Sequence, residues 1–169
     1  MLASSSLQPP APRRDPIGTG KAIVIGLVAG LVASAVKTIC ELISPPRLPG
    51  ELSPLGKMID YASVVATGEP MVESARQLTE PFVHFGFGAA AAAVYVVVSE
   101  RFPILRAGCG SLFGVLFWLG VHEILLPLAG FSASPAIMTF REQGNEFVSH
   151  IVFGVTIELV RRGLTRKLA

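Results

Sequence analysis

Apolar residues occur in four long runs along the chain, and each run has a length that suits a helix crossing a bilayer. The runs cover residues 21–43, 81–98, 107–129 and 146–160. A helix needs about 20 apolar residues to cross the hydrocarbon core, within a range of about 17–25. The fourth run is short and requires Arg161 and Arg162 to extend their charged groups to the membrane surface. The pattern predicts an all-α membrane protein, a four-helix transmembrane bundle.

Two further segments lie outside these runs. Residues 1–16 are rich in Ser, Pro and Ala, so we expect a disordered cytoplasmic tail before a single domain over residues 17–169. Between the first two runs, Ser53 suits the N-cap and Pro54 the first position of a helix. Apolar residues follow Pro54 at helical spacing. We therefore expect a short amphipathic helix in the first outer loop, either in the membrane surface or packed on the bundle.

The distribution of Lys and Arg predicts the orientation in the membrane. Most of these residues lie in the N-terminal tail, in the loop between the second and third runs, and in the C-terminal tail. Cytoplasmic segments carry an excess of positive residues. Both termini are therefore predicted in the cytoplasm, with residues 44–80 and 130–145 outside.

The four runs repeat two patterns, which indicates two copies of one helical hairpin. The second and fourth runs share Glu-x-x-x-His-x-x-Phe-Gly, starting at Glu80 and Glu146. The first and third runs share Gly-x-x-x-Gly near their inner ends, at Gly26, Gly30, Gly110 and Gly114. Both copies start and end inside, so parallel repeats are predicted. Small residues let helices approach closely in lipid, and these glycines are expected to hold helix pairs together.

Ionisable residues of the runs concentrate at one depth, near the predicted outer ends. They are Lys37, Glu41, His84, His122, Glu123, Glu146 and His150. Such groups are costly at membrane depth and normally face the bundle interior or a wet cavity. One polar pocket open to the outside is therefore predicted. The inner half is almost purely apolar, and Glu158 with Arg161 and Arg162 is expected to form a salt-bridged anchor at the inner surface.

Several functions remain open for this polar cluster. It could be structural, or it could respond to protons, because histidine titrates near pH ~6.5. Neither function requires a cofactor. The histidines could instead bind zinc, with His84, His122, His150 and one glutamate as ligands, or haem b between His84 and His150. Solute transport, a homo-oligomer, and an accessory subunit of a larger membrane complex also remain open.

Composition narrows the remaining classes. The chain is 51% hydrophobic and only 15% charged, whereas soluble domains carry about 25% charged residues. The expected partner is the lipid bilayer. The net charge is only +2 and the basic residues follow the topology, so nucleic acid is not expected. The chain contains no G-x-S-x-G, H-E-x-x-H or phosphate-loop motif, and no enzyme is expected.

Four segments of the chain together resemble a known family. They read KTICELISPPR, VHFGFG, VHEILLPLAG and EFVSHIVFGVTIELVRR. On these segments the chain resembles the YagU-like family of bacterial inner-membrane proteins, from about Gly26 to Arg162. The matching positions are Lys37, Glu41, Pro45, Pro46, Arg47, His84, His122, Pro127, Glu146, His150, Glu158, Arg161 and Arg162. The resemblance implies an inner-membrane location and an association with acid resistance, and it implies no mechanism.

Overall fold

Every regular element of the computed structural model is helical within residues 17–47 and 50–168, the part of the chain that it describes. The helices are α1 (Thr19–Ile43), α2 (Pro54–Thr67), α3 (Glu73–Arg101), α4 (Pro103–Leu128) and α5 (Phe140–Leu168). The predicted cytoplasmic tail, residues 1–16, lies outside the described residues.

Three of these helices, α1, α3 and α4, are long and apolar enough to cross a membrane. Large apolar side chains such as Val24 and Val94 point away from the protein and are more than 60% exposed. The core between the helices combines alanines such as Ala29 and Ala92 with larger residues such as Tyr95 and Phe153. This distribution suits a lipid environment, where close packing rather than hydrophobic burial drives helix association.

Glycines bring two helix pairs into backbone contact. A Cβ atom added at Gly30 of α1 would lie 2.5 Å from the Cα atom of Ala89 in α3. A Cβ atom at Gly114 of α4 would lie 2.4 Å from the carbonyl oxygen of His150 in α5. Gly26 and Gly110 make equally close approaches in the same two pairs. In addition, α1 packs against α5 and α2 packs against the beginning of α3.

The helix in the first outer loop begins as predicted. The Ser53 hydroxyl accepts a hydrogen bond of 2.8 Å from the backbone N–H of Gly56, and Pro54 occupies the first turn. The Ser53 hydroxyl also donates to the carboxylate of Glu80 in α3. The cap of α2 is thereby tied to the neighbouring helix.

The starts of α3 and α5 differ from the prediction. The second apolar run starts at Pro81, and proline suits the first turn of a helix. In the structure α3 begins earlier, at Glu73, and continues through Pro81. The last helix begins at Phe140 rather than at residue 146, because Thr139 and Glu142 form a capping box. In this box, Thr139 N–H donates to the Glu142 carboxylate at 2.7 Å, and Glu142 N–H donates to the Thr139 hydroxyl at 3.3 Å.

The third run forms an irregular helix. It starts with 3₁₀ turns, and the backbone leaves helical geometry from Ala107 to Cys109. Cys109 has φ +57°. The helix predicted over residues 107–129 therefore lacks its first turn and becomes regular only at Ser111. Regular α-helix covers Ser111–Phe117, and a π-helical segment follows at Trp118–Leu125.

Candidate functional site

Glu146 is the central residue of a charged cluster at the end of the bundle predicted to face outward. Its side chain is only 2% exposed. Arg47 Nη2 donates to Glu146 Oε1 at 3.0 Å, and Lys37 Nζ lies 3.6 Å from Oε2. The Nε2 atom of His122 lies 3.4 Å from Oε1. One carboxylate is therefore shared by groups from α1, the following loop and α4.

Other members of the cluster surround this carboxylate. Lys37 also donates to Glu41, one helical turn further along α1. His150 Nδ1 lies 2.7 Å from the backbone carbonyl of Glu146. A carbonyl oxygen can only accept, so His150 Nδ1 carries the hydrogen of this bond. The rings of His150 and His122 meet edge to face, with centroids 5.5 Å apart.

Two predicted members of the cluster occupy different surroundings. His84 Nε2 lies 3.4 Å from the hydroxyl of Thr38, and that hydroxyl donates to the carbonyl of Ser34. Thr38 therefore accepts the hydrogen bond from His84. Glu123 is not brought into the cluster, and its Oε1 atom is buried without a hydrogen-bond partner. Of the predicted polar residues, Glu123 alone borders neither of the cavities described below.

The π-helical segment explains how His122 comes to face the cluster. Gly114 contacts α5, and on a regular α-helix the residue seven positions later, Val121, would return to the same face. His122, eight positions later, would be rotated away by about 80°. A π-helical turn accommodates about one extra residue. It delays the rotation, so that His122 reaches α5.

Deleting Gly120 should therefore leave the protein folded. The shortened segment can return to regular α-helix while His122 stays on the face of Gly114. Gly120 is exposed, and a Cβ atom there would contact nothing. Deletion of the exposed Leu31 is the matched control, because it rotates Lys37 by about 100° in a regular helix. Size-exclusion chromatography should give a normal yield of monodisperse protein only for the Gly120 deletion. Equal losses of yield in both deletions would contradict the proposed effect of the π-helical segment on the direction of His122.

Two cavities adjoin the cluster and share part of their walls. The central cavity, of about 400 Å³, lies among α1, α3, α4 and α5. The outer cavity, of about 330 Å³, lies between the loop after α1, the beginning of α2 and residues 131–142. Arg47, His122 and Glu146 border both cavities. The ion pair between Arg47 and Glu146 therefore lies where one cavity adjoins the other.

The central cavity has one polar and one aromatic part. Phe87, Phe117 and Phe153 form the aromatic part, and Phe117 stacks on Phe153 with ring centroids 5.8 Å apart. Charged and titratable groups lie nearer the outer end, namely Lys37, Glu41, Arg47, Glu80, His84, His122, Glu146 and His150. Three buried polar atoms on its walls have no hydrogen-bond partner: Ser34 Oγ, His122 Nδ1 and Glu146 Oε2.

The three histidines do not converge on one point. His122 contacts His150, whereas His84 is bonded to Thr38. Within residues 17–47 and 50–168, no three His, Cys, Asp or Glu side chains have the spacing of metal ligands. The three-histidine zinc shell is therefore not assembled in this arrangement. Haem binding between His84 and His150 stays a prediction.

A second buried charge network lies at the opposite, predicted inner end. Glu158 is fully buried and accepts hydrogen bonds from the Tyr95 hydroxyl at 2.9 Å and from Arg161 Nε at 2.7 Å. Arg162 Nε also donates to Glu158, at 2.7 Å, and Arg161 reaches Glu100. The predicted salt bridges of Glu158 with Arg161 and Arg162 are confirmed. Glu158 itself is a core residue rather than a surface one, and this half is not almost purely apolar. The sequence contained one sign of this network, because Tyr95 places a hydroxyl group within the apolar run of α3.

Comparisons with known proteins identify the family of this chain. The family model described as "Protein of unknown function (DUF1440)" matches residues 31–159, which include the whole polar cluster. The inner membrane protein YagU of Escherichia coli (strain K12) is 28% identical, over 88% of this chain and 86% of that protein. No solved structure matches the chain. The chain therefore belongs to the DUF1440 family and is a YagU-like, all-helical membrane protein.

Proposed function

We propose that the protein is a non-catalytic protein of the bacterial inner membrane whose outer cluster responds to external acid and contributes to resistance to acid stress. The single observation that carries the proposal is the position of Glu146. One buried carboxylate is shared by Lys37, Arg47 and His122 at the boundary between two cavities. A proton taken up by His122 changes the charge balance at that boundary.

The proposal includes a four-helix bundle with both termini in the cytoplasm. The fourth membrane-crossing helix is α5, whose polar residues Glu146, His150 and Glu158 are buried. Groups of this kind belong in the interior of a membrane bundle. The paired glycine contacts of α1 with α3 and of α4 with α5 support two parallel repeats.

The charge balance depends on the state of the histidines. With neutral histidines, Lys37 and Arg47 are matched by Glu41 and Glu146. Protonation of His122 places a third cation around Glu146, and like charges at such distances repel. Arg47 is the most exposed of the cations and lies on a loop, so it is the group expected to move. The charged and titratable groups that surround His122 and His150 are Lys37, Glu41, Arg47, Glu51, Lys57, Glu80, His84, Glu142 and Glu146.

Acid should therefore open the passage between the two cavities. A cysteine in place of Ser34, which is buried in the central cavity, reports this opening. Cys40 and Cys109 are first replaced by alanine and glycine. We expect a charged, membrane-impermeant thiol reagent to label Ser34→Cys in intact cells at least about fivefold faster near pH ~5.5 than near pH ~7.5, because histidine titrates between them.

Three variants make this measurement specific. Ser132→Cys lies on the proposed outer face, labels at both pH values, and normalises the intrinsic reactivity of the reagent. Lys167→Cys, at an exposed position near the C-terminal end, labels only after lysis, which tests the orientation. His122→Gln keeps a donor for Glu146 but cannot titrate, and it should remove the acid-dependent increase. The same Ser34→Cys rate at both pH values would instead favour a structural role for the cluster.

A further inference from the structure

We propose that the central cavity binds a small amphipathic organic acid. The acid group lies beside Lys37, Arg47 and His122, and the apolar body lies against Phe117 and Phe153. This inference deepens the proposed function by assigning a ligand to the same site. It does not require the site to respond to pH.

The size and the lining of the central cavity both suit such a ligand. Its volume of about 400 Å³ falls within the range of roughly 300–1,000 Å³ that small-molecule sites occupy. Those sites are mostly apolar and carry a few polar groups that fix the orientation of the ligand. Here the polar groups lie toward the outer end, and the aromatic rings lie further along the same helices, about one turn beyond His84 and His150. A ligand with one polar and one apolar end matches this division.

The hydrogen-bonding groups on the polar wall favour an acid. An ammonium group has three N–H donors and a guanidinium group has five. The contacts of Lys37 and Arg47 with Glu41 and Glu146 use only some of them. A carboxylate can accept the remaining hydrogens. A cationic ligand would instead have to take Glu41, Glu80 or Glu146 from the protein donors that already bind them. His122 Nδ1 and Glu146 Oε2 are buried without a hydrogen-bond partner, so an undissociated acid can donate its O–H to either atom.

The carboxylates of the cavity are engaged by protein donors, which lessens their repulsion of an anion. Glu41 accepts from Lys37, and Glu80 accepts from the Ser53 hydroxyl. Glu146 accepts from Arg47 through Oε1. The apolar body has a defined place, because Phe117 lies between Phe87 and Phe153 with ring centroids 5.8 Å from each. An aromatic or short branched acid can stack against these rings.

Benzoate is a suitable probe for this site. Binding of radiolabelled benzoate is measured by equilibrium dialysis at neutral pH, with the full chain in nanodiscs of zwitterionic lipid. Saturable binding is expected, and excess unlabelled benzoate should displace it. Benzylamine has a similar size and the opposite charge, so it should not compete. Equal competition by benzylamine, or the absence of saturable binding, would overturn the proposal.

Variants locate the bound acid. Arg47→Gln should weaken benzoate binding by about tenfold, since a charge-assisted hydrogen bond is lost. Arg76→Gln is the matched control, because Arg76 pairs with Asp60 and borders neither cavity. Val121→Phe fills part of the central cavity without removing a charge and should also weaken binding. Unchanged benzoate affinity in both Arg47→Gln and Val121→Phe would place the benzoate elsewhere.

Benzoate binding and the response to acid are tested by two separate measurements. Thiol labelling of Ser34→Cys is carried out without benzoate and reports only the response to acid. Benzoate binding is measured at one neutral pH and reports only the ligand. A chain that labels faster in acid but binds no benzoate refutes the ligand and leaves the proton response standing. The reverse result refutes the proton response alone.

Discussion

Replacing Glu146 by glutamine should lower the free energy of unfolding by about 3–5 kcal/mol, the loss that follows when one partner of a buried ion pair is removed. The neutral amide leaves Lys37 and Arg47 near each other with only Glu41 to balance them. Glu146 is 2% exposed, so the two cations lose a buried partner rather than a solvated one. The loss is measured as a shift of the unfolding transition in a denaturant titration of the detergent-solubilised protein.

Glu123→Gln is the control for the Glu146 variant. Both substitutions turn a glutamate near the outer end into glutamine, but Glu123 Oε1 has no hydrogen-bond partner. The Glu123 variant should unfold at the same denaturant concentration as the parent or at a higher one. Adding Lys37→Met to Glu146→Gln should recover part of the loss, because it removes a cation left without its partner. Equal destabilisation by both single glutamine variants would show that Glu146 is not the central carboxylate.

The sequence predicted the boundaries of a helix closely where its apolar run ends abruptly. The first run was predicted over residues 21–43, and α1 covers Thr19–Ile43. The beginnings of α3 and α5 were wrong for two different reasons. Proline fits both the first turn of a helix and, in lipid, its interior, so Pro81 did not fix a boundary. The polar first turn of α5 lies outside the apolar run, and only the capping box of Thr139 and Glu142 marks its start.

The depth of the site was easier to predict than its composition. Depth follows from the position of a residue along a helix, and it brought Lys37, Glu146 and the histidines to one level. The direction of a side chain depends on the rotation of the helix, which the π-helical segment alters between Gly114 and His122. Glu123 was included because it lies at the same depth as the cluster, although its side chain points elsewhere. The family resemblance included Arg47 among its matching positions. Hydrophobic patterning does not predict the path of the loop on which Arg47 lies, so the contact of Arg47 with Glu146 was missed.

Gly114→Ala should destabilise the protein by about 1–3 kcal/mol, the usual range for overpacking a tight contact. The new Cβ atom would lie 2.4 Å from the carbonyl oxygen of His150 and 2.9 Å from the Cα atom of Ile151. Both neighbours are backbone atoms, so no side-chain rotation relieves the clash and α5 must move away from α4. His122 lies on the same face of α4 and bonds toward Glu146 of α5. The movement should therefore also weaken the polar cluster.

Gly120→Ala is the matched control within the same helix. A Cβ atom at Gly120 would contact nothing within 4 Å. Replacing such a glycine by alanine usually stabilises a protein by about 0.4–1 kcal/mol through the unfolded chain. Denaturant titration should thus show shifts of opposite sign for the two alanine variants. Shifts of the same sign would mean that α4 and α5 are not held at backbone contact. In the Gly114 variant, a cysteine at position 34 should label at neutral pH as fast as it otherwise labels in acid, because the shift of α5 separates Glu146 from His122 and loosens its ion pair with Arg47.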